Sequence, residues 1–178
     1  MPTDFTEAGL LPPGDYHLTL NQLRESLLVV GPPRPNRRWN REGRLRLVDN
    51  LAIMADHLWQ VGVEDIYVDG SFVEDKASPN DIDGYFVCTV TQYQLSSFKK
   101  DLALLDDIWT WDDAKRTKAR NTTKPQLPMW HKYRVELYPE LGGLANIPGP
   151  NGANLSISAG FRQERWTFTE KGIVHLVQ

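Results

Sequence analysis

The stretch Ile66-Tyr67-Val68-Asp69-Gly70-Ser71, followed at residue 82 by Ile-Asp-Gly-Tyr-Phe-Val, limits the fold more than any other part of the chain. Both pieces are short and β-rich, and Gly70 stops the first. About a dozen mostly polar residues join them, short for a crossover that carries its own helix. The sequence predicts strands over 64–69 and 84–90, the second entered at Ile82, with a mixed sheet still open. Asp81 and Asp83 bracket Ile82. Side chains alternate along a strand, so both acids face one side, about 7 Å apart along the chain, while Ile82 turns to the core. Two carboxylates this close raise each other's pKa and call for a neutralising partner.

Helices account for much of the rest. Thr19 and Gln22 have capping-box spacing, and Leu20, Leu23, Leu27 and Leu28 form a stripe, which predicts a helix over about 20–28. The prolines of 31–40 rule out regular helix there. Leu45, Val48, Leu51, Ala52, Ala55, Leu58 and Trp59 mark a longer helix, with Gly62 just past its end. A third helix follows Thr91 and Gln94, which repeat the capping-box spacing, and buries Leu95, Phe98, Leu102 and Leu105. Short strands are expected over 106–111, 133–138 (stopped by Pro139) and 173–176, and residues 1–16 read as an irregular arm. The reading is an α+β (α/β-like) chain, a mixed sheet flanked by helices with an N-terminal helical extension. Residues 1–40 form an arm and helix packed on a core of 41–178.

Charge narrows the partners. The net charge of −3 argues against a general polyanion binder. From Ala114 to Arg134, however, there is no acid, and Lys115, Arg116, Lys118, Arg120, Lys124, Lys132 and Arg134 fall together. Such a stripe can meet phosphates on an acidic protein. One cysteine, Cys88, excludes an internal disulfide and most cysteine-based zinc sites. With no long apolar run and no basic-then-apolar start, no membrane partner is expected, and the cytoplasm is the default compartment.

A divalent cation answers the carboxylate pair directly. Mg²⁺ takes one or two carboxylates and fills its octahedron with water and substrate phosphates. A third acid, Glu136, stands on the later strand between Val135 and Leu137, opposite the core face. Gly70 lets backbone approach a phosphate, and the Ser71 hydroxyl and turn N–H groups can donate to it.

Gly70-Ser71, nine residues, then Asp81-Ile82-Asp83 resembles the signature of the polymerase-β-type nucleotidyltransferase superfamily, with Glu136 as its later carboxylate. Leu11-Pro12-Pro13-Gly14, Asn36-Arg37-Arg38, Asp69-Gly70-Ser71-Phe72-Val73 with Lys76 and Pro79, and Lys171-Gly172-Ile173-Val174 are similar to a small bacterial branch of it. The resemblance implies a minimal nucleotidyltransferase fold and Mg²⁺-dependent transfer (Mn²⁺ as an alternative) of a nucleoside monophosphate from an NTP such as ATP, releasing pyrophosphate. The acceptor hydroxyl would belong to an RNA 3′ end, a protein or a small molecule, and a toxin–antitoxin or defence setting is in keeping with small members. Asp81, Asp83 and Glu136 would be the catalytic and metal-binding acids; Gly70, Ser71, Lys76 and Arg38 would hold phosphate, Arg38 with Arg37 and Arg41 as a clamp. One departure stands out: where many members carry Arg-Gly after the Gly-Ser, this chain has Glu74-Asp75. The alternative is a catalytically silent protein of that fold that binds nucleotide, RNA or a partner protein.

Overall fold

A computed structural model describes residues 1–33, 38–120 and 122–178. Along the chain come β1 (Asp15–Leu18), α1 (Leu20–Glu25), α2 (Leu27–Val30), α3 (Arg41–Gln60), β2 (Ile66–Asp69), β3 (Ile82–Val87), α4 (Val90–Gln94), α5 (Ser96–Leu105), α6 (Pro128–Tyr133), β4 (Val135–Glu140), β5 (Ile147–Pro148), β6 (Asn154–Leu155), α7 (Ile157–Phe161) and β7 (Ile173–Leu176). Five strands make a mixed sheet in the order β1-β7-β2-β3-β4, and β5 pairs with β6 alone. β2 runs antiparallel to both neighbours; the β1–β7 and β3–β4 pairs are parallel. This is an α+β chain with a mixed sheet flanked by helices.

Alternation divides the sheet by chemistry. Ile66, Val68, Ile82, Phe86, Val135 and Leu137 are fully buried and join Leu47, Leu51, Met54 and Leu58 of α3 in the apolar core. Asp83, Tyr85, Glu136 and Tyr138 occupy the intervening positions. The N-terminal residues Phe5, Leu11, Leu23 and Leu28 belong to the same core. Among the described residues no helix is long and apolar enough to cross a membrane.

Several local expectations change. The Thr19 capping box forms as read. The helix breaks at Ser26, whose hydroxyl donates to Leu23 O and accepts from Leu28 N–H, so one side chain caps the end of α1 and the start of α2. Residues 15–18, expected in an irregular arm, form edge strand β1, which four residues of mixed polarity do not announce. Thr89 caps α4 through Gln92 N–H, two residues before the expected box. Residues 106–111 are not a strand: Asp106 instead accepts hydrogen bonds from Lys132 and Tyr133. Tyr133 ends helix α6, which begins with Pro128 at a position where proline costs little. β4 runs through Pro139 to Glu140, because an edge strand tolerates a missing donor.

Arg44 organises the turn that follows β2. It is fully buried on α3. Its Nη1 donates to Leu28 O and Phe72 O, both at 2.7 Å, and its Nη2 donates to Glu74 O at 3.1 Å and Lys76 O at 2.5 Å. The guanidinium lies 4.0 Å from the Trp39 ring centre and 5.1 Å from that of Phe72. Burial pulls its pKa down to about 9, and the nearby Asp75 charge opposes that fall. Replacing it removes a donor from each of four carbonyls, of which Glu74 O keeps the bond from Lys76 N–H. Arg44→Met is expected to destabilise the fold by at least about 3 kcal/mol in urea unfolding. Arg44→Lys should recover only part of the loss, since a point ammonium lacks the planar fork.

Candidate active site

Register, not sequence proximity, assembles the acids. Asp69 of β2 pairs with Asp83 of β3, and Asp83 pairs with Glu136 of β4. Three carboxylates therefore stand side by side across three strands, at one end of the sheet. Asp81, one pleat before Asp83, shares its face. Asp69 and Glu136 are buried, and Asp81 and Asp83 are partly buried. The strand alternation identified Asp81, Asp83 and Glu136. Asp69 was not identified, although it ends the strand in phase with Tyr67 and away from Val68, which was the available signal.

Each acid has a different setting. The Trp130 indole N–H donates to Asp81 Oδ2 at 2.7 Å. Helix α6 carries that indole, and Arg134 ends the helix in left-handed backbone (φ 56°) with its guanidinium 3.8 Å from the Trp130 ring centre. Glu136 Oε1 accepts from Leu127 N–H at 2.9 Å and from Arg116 at 3.5 Å; its Oε2 accepts from the Tyr138 hydroxyl. Burial and the Glu136 charge push the Tyr138 phenol up. No described Lys, Arg or His forms an ion pair with Asp81 or Asp83. Burial, then the charges of Asp81, Glu136 and Asp69, push the Asp83 carboxyl up to about 8.

Lys171, two residues ahead of β7, pairs with the first acid of Glu74-Asp75. It is 4 % exposed, and its Nζ lies 3.1 Å from Asp69 Oδ1 and 2.9 Å from Glu74 Oε1. Glu74 is thus held by a buried cation. Burial pushes Asp69 up to about 7, with Lys171 opposing the rise. In the sequence Lys171 stands only in the Lys171-Gly172-Ile173-Val174 segment, which gives no sign of these two partners.

Gly70 opens a one-turn 3-10 helix over Gly70–Val73. Its φ is 72°, and a Cβ there would meet Asp83 Oδ2 at 2.5 Å, so both backbone and space require glycine. Ser71 is partly exposed, and Lys76 Nζ reaches 3.5 Å from its hydroxyl. Arg38 and Arg41 are exposed, and neither is ion-paired to the acids. Arg37 lies outside the described residues.

The matched span covers nearly the whole chain. The chain belongs to DUF6932, a family of unknown function, whose model matches residues 3–177. No curated protein and no solved structure matches it.

The donor set bears on the metal expected from the sequence. Among the described residues no three His, Cys, Asp or Glu side chains are grouped so as to hold a metal ion. Both Glu136 oxygens are engaged elsewhere. Asp81 and Asp83 remain, two carboxylates on one face with no described cation paired to them, which is a donor set that suits Mg²⁺.

The raised Asp83 and Asp69 carboxyls carry a pH signature. Between the unfolded value near 4 and the folded values of about 7 and 8, the folded chain binds more protons than the unfolded one. Stability in EDTA should therefore be greatest in acid on this account and fall as pH rises toward 8. Asp83→Asn should flatten that slope in melts taken between about pH 5 and 8.

Proposed function

We propose that this chain is a Mg²⁺-dependent nucleotidyltransferase of the minimal nucleotidyltransferase fold. The reading rests on one observation above the others: Asp83 stands in register with Asp69 and Glu136, beside a Gly-Ser turn, with no described cation paired to it. Asp81 and Asp83 would hold the metal. When bound, Mg²⁺ supplies charge neutralisation for the triphosphate and the departing pyrophosphate.

The chain's own groups do the positioning. N–H groups of the 70–73 turn and the Ser71 hydroxyl hold the β- and γ-phosphates, with the Lys76 ammonium next to Ser71. Arg44 fixes that turn by gripping the Phe72, Glu74 and Lys76 carbonyls. The Trp130 indole orients Asp81. The acceptor oxygen bonds to the α-phosphorus as the bond to the β-phosphate oxygen breaks. The hydroxyl proton passes to a carboxylate of the row, Glu136 in the superfamily pattern. Catalysis is then positioning and charge neutralisation, as in phosphoryl transfer generally.

The hold of Arg116 and Tyr138 on Glu136 favours a second reading, a silent member that binds nucleotide or a partner without transferring. Labelled transfer separates the two. Incubation with Mg²⁺, each α-labelled NTP, cellular RNA and lysate protein should label an acceptor, and Asp81→Ala with Asp83→Ala should abolish the label. Label surviving that double substitution overturns the metal assignment; no label and no Mg²⁺-dependent NTP binding favours the silent reading. Tyr138→Phe frees Glu136 Oε2 to join Asp81 and Asp83 and should strengthen Mg²⁺ binding severalfold in calorimetry; unchanged binding would leave the metal to the two aspartates alone.

A further inference from the structure

A second feature adjoins Asp81. A cavity of about 540 Å³ is walled by Arg46 and Asn50 of α3, by Pro79-Asn80 just ahead of Asp81, by Arg120, and by Trp130 and Arg134. The volume suits a ligand of nucleotide size. Its described lining holds three arginines and no acid. Leu47, Asn50 and Gly43 recur at three and four residues, so one face of α3 builds the wall. Trp130 belongs to both places, since it lines the cavity and donates to Asp81 Oδ2.

None of the three guanidinium groups forms an ion pair with a described residue, whereas Arg24, Arg116 and Arg162 all do. Guanidinium is the side chain best matched to phosphate oxygens. One wall of the cavity belongs to a basic segment, since Ala119, Arg120 and Thr122 line it. Arg120 lies in the acid-free run that carries the exposed Lys115, Lys118 and Lys124. A basic segment that supplies one wall of the cavity suits a chain of phosphates better than a single phosphate. Because Arg134 covers a face of Trp130, the cavity offers charge more than a stacking platform.

We infer that this cavity seats the terminal phosphodiesters of a single-stranded nucleic acid, with the end of the strand beside Asp81. The role as acceptor rests on the nucleotidyltransferase reading; the binding does not.

The test is fluorescence anisotropy with the full chain in EDTA and without NTP, using labelled RNA and DNA oligonucleotides of about ten nucleotides. Arg46→Ala with Arg120→Ala is the informative variant, since both side chains are exposed, while Arg134 also caps α6. Binding is expected to weaken by about tenfold or more, and the log–log salt slope to become shallower by about 1.4 for two lost contacts. The corresponding double Lys variant should keep most of the slope. The RNA and DNA arms identify which strand is preferred. Equal binding by wild type and the Ala variant, or no oligonucleotide binding by wild type, overturns the inference, as does binding of inorganic pyrophosphate alone. Asp81→Asn with Asp83→Asn should retain oligonucleotide binding, so a failure of transfer and a failure of the cavity give different results.

Discussion

The site depends on a buried guanidinium. Arg44 lies in the core of α3 and spreads its donors over carbonyls from two distant segments, Leu28 at the end of the N-terminal helices and Phe72, Glu74 and Lys76 after β2. Beyond one 3-10 turn and the bond from Lys76 N–H to Glu74 O, this segment has little backbone pairing to satisfy its carbonyls, and its shape would otherwise be soft. The arginine replaces the missing ladder. It also explains why a charged residue interrupts an apolar helix stripe: the position is buried, but its neighbours are backbone oxygens and the faces of Trp39 and Phe72 rather than methyl groups.

From that fixed turn the electrostatics follow in order. Gly70 brings the backbone against Asp83 closely enough to exclude a Cβ. The register then sets Asp69, Asp83 and Glu136 abreast, a cost that four neighbours offset. Lys171 faces Asp69, Arg116 and Tyr138 face Glu136, and Trp130 donates to Asp81. Asp83 is left with its charge opposed by the other acids. An acid row in which every outer member has a partner and the central one does not is a design suited to a mobile positive charge.

Much of this was legible from the sequence, and the boundary has physical causes. Alternation placed Ile82 in the core and Asp81, Asp83 and Glu136 away from it, because a two-residue period needs no tertiary knowledge. The spacing of Leu45 to Trp59 found the long helix for the same reason. What alternation cannot give is register between strands, and so Asp69 escaped notice. Arg44 and Lys171 escaped because a lone basic residue in sequence reads as solvated, and only the folded chain shows the carbonyls and carboxylates that surround it. Helix α6 was hidden by length: six residues carry less than two turns of pattern, and its Tyr133 was read into the strand that follows. The meaning of Glu74 was likewise invisible, since its partner lies about a hundred residues downstream.

The strand order holds one more consequence. β7 is the latest strand in sequence, yet it lies inside the sheet, with β1 on one side and β2 on the other. During synthesis β1 emerges first and has no partner until residues 173–176 have been made. Lys171 arrives with the same segment, so Asp69 and Glu74 stay uncompensated for as long. The sheet and the acid row therefore close together and late. A ribosome-bound chain stopped before this point would present an open strand edge to chaperones and would not carry a finished site.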